Sequence, residues 1–216
     1  MNRRTMMTLA KGEEPLLPSE YQQVEWIQTN NACRIDSGVA FDRTKDFCLE
    51  AIALIPDMAN TAYAGWNAGG IFGAAAHGYW YDGSTTSGLV VSTTKKTKVE
   101  QVIYAGVNSN TVTKYTYVSD ASVTQSFTRT HQNIINRLAL INYPLFAISK
   151  APPDWDYTNG RMRLYEIKLG FDGVFETHLI PCYRKSDNTI GMYDIIKKSF
   201  RPNLGAGTFT KGADVN

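Results

Sequence analysis

Phe47-Cys48-Leu49-Glu50-Ala51-Ile52-Ala53-Leu54-Ile55 is a run of small, β-branched and aromatic residues that Pro56-Asp57 brings to a stop. Phe47, Leu49, Ala51, Ala53 and Ile55 alternate with Cys48, Glu50, Ile52 and Leu54, so both faces are largely apolar. That pattern fits a strand buried in the middle of a sandwich. Upstream, Val24–Gln28 and Cys33–Asp36 read as short strands. Downstream, Ile71–Ala74, Tyr79–Tyr81 and Gly88–Ser92 follow, each bounded by Gly, Asp or Ser. Lys98–Val107 and Thr111–Val118 flank Asn108-Ser109-Asn110, a hairpin whose turn residues tolerate left-handed backbone. Leu145–Ile148 and Arg161–Leu169 read as strands around a Pro-rich loop, Ala151–Gly160. Phe171-Asp172-Gly173-Val174-Phe175 reads as a tight hairpin that Glu176–Pro181 continues. Between Ser119 and Asn142 the periodicity does not decide, and Gln132–Ile141 fits a helical turn or a strand. Many short strands and no convincing long helix predict an all-β fold, a jelly-roll β-sandwich of two antiparallel sheets.

Composition agrees. The chain has 216 residues with 43% hydrophobic and 19% charged, enough apolar material for one core and too little charge for disorder. A net charge of +2, with only short basic groups at Arg3-Arg4, Lys95-Lys96 and Lys197-Lys198, gives no reason to expect nucleic acid as a partner. Cys33, Cys48 and Cys182 are odd in number and widely spaced, which fits neither a disulfide framework nor a zinc site. Cys48 reads as a small packed hydrophobe. Reduced thiols predict synthesis and folding in a cytoplasm.

Residues 1–15 read as a flexible arm, separated by Gly12-Glu13-Glu14-Pro15 from a domain spanning 16–216. The arm is either a docking peptide or an ordinary loose terminus. Its apolar stretch is too short for a signal peptide, and no window reaches the length of a membrane span, so no membrane insertion is expected.

The two ends carry recognisable cassettes. Leu17–Gln28 with Arg34-Ile35-Asp36-Ser37-Gly38 opens the domain, and His178–Asn188, Gly191–Asp194, Phe200 and Gly205–Gly212 close it. Together they resemble the ends of a concanavalin A-like (laminin G-like) jelly-roll domain of the type found in tailed phages and prophages of gut bacteria. The resemblance implies that first and last strands lie side by side. Tyr21, Val24, Trp26 and Ile27 would then meet Phe200, Leu204 and Phe209, at about 1.5–3 kcal/mol per buried group. Gly191, Gly205, Gly207 and Gly212 are expected at positive φ. Asp187-Asn188 and Asp194 are expected in turns.

Catalysis finds little support in the residues. A retaining glycosidase needs two carboxylates about 5–5.5 Å apart, and the Glu-x-Asp-x-x-Glu run of laminarinase-type enzymes is missing. His77, His131 and His178 stand near no nucleophile-elbow pattern. No enzyme activity is expected. Asp154, Asp156 and Asn159 form the best calcium candidate, against the alternative of an ordinary acidic turn. Aromatic rings beside polar groups could stack on sugars: Trp66 with Asn67, Trp80 and Tyr81 with Asp82, and Trp155 with Tyr157.

The resemblance then implies a non-catalytic phage virion surface protein, a capsid decoration, head-fibre or tail-fibre component, adhering to host-surface or mucosal glycans. Other virion proteins would be its partners, through the arm or as a homo-oligomer. The alternative is a purely structural virion assembly protein; a glycan depolymerase would need the acidic pair that is missing.

Overall fold

A computed structural model describes residues 17–29, 32–40, 42, 44–56, 62–66, 72–75, 79–81, 86–90, 94–106, 110–130, 142–151, 154–157 and 162–216. Its strands in chain order are β1 (Tyr21–Gln23), β2 (Ile27–Thr29), β3 (Ile35–Ala40), β4 (Phe47–Leu54), β5 (Ala62–Trp66), β6 (Phe72–Ala75), β7 (Tyr79–Tyr81), β8 (Thr86–Val90), β9 (Thr97–Ile103) and β10 (Asn110–Tyr117). They continue as β11 (Asp120–Thr130), β12 (Asn142–Leu145), β13 (Ala147–Ala151), β14 (Asp154–Tyr157), β15 (Arg163–Phe171), β16 (Val174–Arg184), β17 (Thr189–Asp194), β18 (Ser199–Pro202) and β19 (Phe209–Lys211). Among the described residues there is no helix, and so none long and apolar enough to cross a membrane.

The chain is an all-β sandwich. The large sheet runs β11-β10-β9-β4-β15-β16-β17-β18, with β1 on β16, β2 on β15 and β19 on β2. The smaller one runs β14-β13-β5-β6-β7-β8, with β12 between β5 and β3. Ladders are antiparallel except the β13–β5 pair, which is parallel. As its two apolar faces predict, β4 is central, between β9 and β15. Phe47, Leu49, Ala51 and Ala53 enter the main core with Ile35, Val99, Tyr115, Tyr143, Leu164, Ile167 and Leu169.

The two ends of the described domain meet. Phe209 pairs with Thr29 and Lys211 with Ile27, and a bridge joins Val24 to Asp214. Tyr21 stacks on Phe200 with centroids 5.2 Å apart, in a small second core with Leu17, Cys182 and Tyr193 on the far side of the large sheet. Leu204 departs from expectation: it is 50% exposed and joins neither core.

Two hairpins match their sequences. β9 and β10 pair from Ile103–Thr111 to Thr97–Tyr117. β15 and β16 turn through Asp172 (φ 52°) and Gly173 (φ 78°), the two left-handed residues a tight primed turn demands. The glycines of the closing cassette are there for another reason than the one expected. Positive φ among described glycines falls at Gly38, Gly106 and Gly173. Gly191 and Gly205 instead lie where a Cβ would strike backbone, the Arg201 carbonyl and the Ala32 carbonyl respectively. Close approach of chain segments, not turn geometry, selects them.

Three segments differ from the sequence reading. The expected strand at Val24–Gln28 breaks into β1 and β2 around Val24–Trp26. Asp120–Thr130 is a long edge strand, paired with β10. The Pro-rich loop contains β14, which pairs back on β13. The proposed arm, residues 1–15, and the undecided Gln132–Ile141 lie outside the described residues.

Candidate functional site

The register fixes where the expected site residues stand. Leu145 pairs with Ala64 and is fully buried. Tyr143, two residues earlier on the same strand, stacks on Phe47 of the large sheet at 5.5 Å. Along the small sheet, Ala64 pairs with Phe72, Ala62 with Ala74 and Ala74 with Trp80, while Trp155 and Tyr157 of β14 pair with Ser149 and Ala147 of β13. Trp66 and Trp155 share one row, each opposite Ser149. Tyr81 pairs with Gly73, Asp154 with Ala151 and Asp156 with Ile148. Asn67, Asp82 and Asn159 lie outside the described residues, as do His77 and His131. Among the described residues no group of His, Cys, Asp and Glu gathers to hold a metal.

The outer face of the large sheet carries a constellation that no single segment announces. Lys114 lies opposite Glu100, Glu100 opposite Glu50, Glu50 opposite Lys168 and Lys168 opposite His178, one row across β10, β9, β4, β15 and β16. Lys98 and Glu166 join it from the neighbouring row. The like charges Glu50 and Glu100 face each other because Lys98 Nζ spans them, 2.8 Å from one and 2.7 Å from the other. Lys114 Nζ reaches Glu100 at 3.2 Å, and Lys168 Nζ reaches both Glu50 and Glu166 at 3.1 Å. His178 Nε2 stands 2.8 Å from Glu166 Oε1, within ion-pair reach but off the line of a hydrogen bond.

These contacts fix protonation. Burial pushes the Glu50 carboxyl up, but hydrogen bonds from Lys98 and Lys168 outweigh it and hold it below the usual range. Glu100 is held down the same way, against burial, by Lys98 and Lys114. Glu166 drops to about 2, its contact with His178 outweighing burial and Lys168 adding to it. The lysines gain correspondingly: burial disfavours the charged form of Lys98 and Lys168, yet their carboxylates raise both above the ordinary value. At neutral pH Glu50, Glu100 and Glu166 are carboxylates, and Lys98 and Lys168 are ammonium ions. The signal that could have found it is the i, i+2 pairing of opposite charges in Lys98-Val99-Glu100 and Glu166-Ile167-Lys168, on strands whose intervening residues are apolar.

The inner face of β9 and β10 mixes polar side chains into the apolar core. Thr97, Val99, Gln101 and Ile103 point inward from β9, and Thr113, Tyr115 and Tyr117 from β10. Gln101 is 1% exposed and donates from Nε2 to Thr113 Oγ1 at 3.2 Å, while its Oε1 has no partner in the protein. Thr97 Oγ1, on the same face two residues away, is likewise buried without a partner. A buried polar atom left this way costs roughly 1–3 kcal/mol.

Other chemistry-bearing groups serve the fold. Asp194, fully buried, accepts from the backbone N–H groups of Ile196 and Lys197 at 3.1 Å and from the Thr177 hydroxyl, closing the β17–β18 turn. Arg184 and Asp187 pair across the preceding turn, where Asn188 sits at φ 57°. Burial pushes the Cys182 thiol up to about 12, and raises Cys48 too; both are neutral and unreactive.

No family model matches this chain, and no curated protein matches it. Among solved structures it is similar to SCP-B, a member of the eqolisin family of peptidases in complex with the tripeptide Ala-Ile-His. The TM-score is 0.38 at 12% identity, covering 89% of this chain and 100% of that one. It is also similar to the scytalido-glutamic peptidase with a transition-state analogue inhibitor, with a TM-score of 0.27 at 10% identity, covering 74% of this chain and 79% of that one. Likeness at this level carries no site residue across. Neither comparison supports the expected function. The phage virion surface protein adhering to glycans is set aside, and so is its assembly-protein alternative.

Proposed function

We propose that this chain is a non-catalytic binding domain, a β-sandwich that works by holding a ligand rather than by transforming one. The observation that supports this most directly is the ion row on the outer face. A general acid must be protonated, and a general base poised, near the working pH. Glu166, held at about 2, and Glu50 and Glu100, held below the usual range, are engaged by lysines and fit neither role. The thiols of Cys48 and Cys182 are buried and neutral, so neither supplies a nucleophile.

The test is turnover. The purified chain is incubated with a denatured protein substrate and with chromogenic glycosides, from acid to neutral pH, beside Glu50→Gln and Glu166→Gln. The expected result is no hydrolysis above buffer for any of the three. Hydrolysis by the wild type that either substitution removes would overturn the reading.

A further inference from the structure

From the outer edge of the large sheet we infer an interface with a second copy of this chain, formed by antiparallel pairing of β11 with β11. Among the described residues β11 pairs with β10 and with no other strand, so it ends the large sheet. An end strand carries a row of backbone N–H and C=O groups ready to pair with another chain, and proteins ordinarily guard it with short length, charge or proline. β18, at the other end of this sheet, is guarded: it has four residues, with Arg201 and Pro202 among them. β14, at one end of the small sheet, also has four residues, and Asp154 and Asp156 are two of them. β11 has eleven residues. From Ala121 to Thr128 it carries no charged residue, no proline and no glycine. Ala121, Ser122, Thr124, Gln125, Ser126 and Thr128 are all exposed.

The register fixes which backbone groups are on offer. Val118 donates its N–H to the Lys96 carbonyl, just ahead of β9, at 2.9 Å. Successive residues of a strand turn their backbone groups to opposite sides. Tyr115 and Thr113 therefore turn theirs toward β11, where they meet Gln125 and Phe127. Thr124, Ser126 and Thr128, which alternate with those two, turn theirs away from the sheet. In Thr124-Gln125-Ser126-Phe127-Thr128 the hydroxyl residues are placed symmetrically about Ser126, which selects a second copy as the occupant. Laid antiparallel about a twofold axis at Ser126, each Thr124 meets a Thr128, and Ser126 meets itself. Cross-strand hydroxyl pairs of this kind favour a sheet, and no like charges are opposed. The contact is isologous, so it closes at two copies. Its axis stands perpendicular to the sheet, which joins the two large sheets into one with both rows of lysines and glutamates on the same face.

The test is the mass of the full chain in solution, by sedimentation from micromolar to near-millimolar concentration. A reversible monomer–dimer equilibrium is expected. Ser126→Glu sets a carboxylate opposite Lys114 within the chain but opposite its own copy across the axis, and should weaken the dimer about tenfold or more. Ser126→Gln, neutral and of similar size, should leave it in place. Under mild oxidation Ser126→Cys should form a disulfide between copies, because directly paired residues have Cα atoms about 5.5 Å apart. Ser122→Cys, well away from the axis, should not. The three native cysteines are buried and do not compete, and the cysteine pair decides the register even if Ser126→Glu folds poorly. A chain that stays monomeric throughout overturns the interface. Protection of the Thr124, Ser126 and Thr128 amides from hydrogen exchange in that monomer would show that another part of the chain covers the edge instead. A dimer that Ser126→Glu leaves as tight as the wild type places the contact elsewhere and overturns it too, as does crosslinking through Ser122→Cys at the rate of Ser126→Cys.

Discussion

The carboxylate of Asp194 accepts the hydroxyl hydrogen of Thr177 from inside the sandwich, joining the end of β17 to the middle of β16 where both are fully buried. The same carboxylate takes the N–H groups of Ile196 and Lys197, so one side chain closes the turn into β18 and pins that hairpin to its neighbour. Removing it strands several donors at once. Asp194→Ala should destabilise the chain by about 3 kcal/mol, and Thr177→Val by about 1 kcal/mol. Urea unfolding with an unchanged m-value is the measurement. Equal losses in the two variants would mean that the turn contacts contribute nothing beyond the buried Thr177 bond.

The outer ion row makes stability depend on pH on the acid side. Glu166 is depressed from 4.5 to about 2. A depressed carboxyl contributes stability that is fully present above its unfolded value and is lost as pH falls through the folded one. Glu50 and Glu100 shift in the same direction. Lys98 and Lys168 are raised, so their share persists at low pH until those carboxylates protonate, and is lost on the alkaline side as pH climbs past 10.5. Melting temperature should therefore fall as pH drops from 4.5 toward about 2. Glu166→Gln should flatten that slope by about 1 kcal/mol once solvent screening at this half-open face is allowed for. A variant as acid-sensitive as the wild type would place the acid response elsewhere.

Glycine substitutions separate two kinds of constraint. Gly205→Ala drives a methyl group into the Ala32 carbonyl, backbone that cannot step aside, and should cost about 2–3 kcal/mol. Gly173 has nothing near its missing Cβ but sits at φ 78°. Gly173→Ala should cost about 1 kcal/mol, and Gly173→Asn less, because Asn tolerates the left-handed region. Thermal melts of the three variants decide it. An Asn variant no better than Ala would mean that the turn is not limited by φ.

How far the chain could be read by eye follows from what each residue type reveals locally. The two apolar faces of Phe47–Leu54, the Asp172-Gly173 turn and the Asp187 and Asp194 turns declare themselves through near-neighbour chemistry, and each forms as read. β11 does not declare itself. Asp120–Thr130 is an edge strand whose described side chains are exposed apart from Val123, which packs against the core, so little alternation marks it. β14 is concealed by Pro152 and Pro153 just before it. The ion row is assembled from β4, β9, β10, β15 and β16, so its members are far apart in the chain and meet only through register.

The cysteines yield the last prediction. Cys33 and Cys182 are fully buried and Cys48 is 8% exposed. Burial alone accounts for the Cys182 thiol standing at about 12, several units too high for the thiolate that attacks disulfide reagents. Cys48 is raised by the same cause, and the nearby Asp172 and Glu176 carboxylates add to it. The native chain should react with an aromatic disulfide reagent only as fast as it opens, and all three thiols should appear together in denaturant. Reaction at one thiol per chain without unfolding would point to Cys48, the most accessible of the three, and Cys48→Ala would identify it by abolishing that reaction. Lowering stability through Asp194→Ala should speed labelling of Cys182 in proportion to the equilibrium population of opened chains. An unchanged rate in that variant would mean that Cys182 is exposed by a local motion of β16 that the Asp194 turn does not restrain.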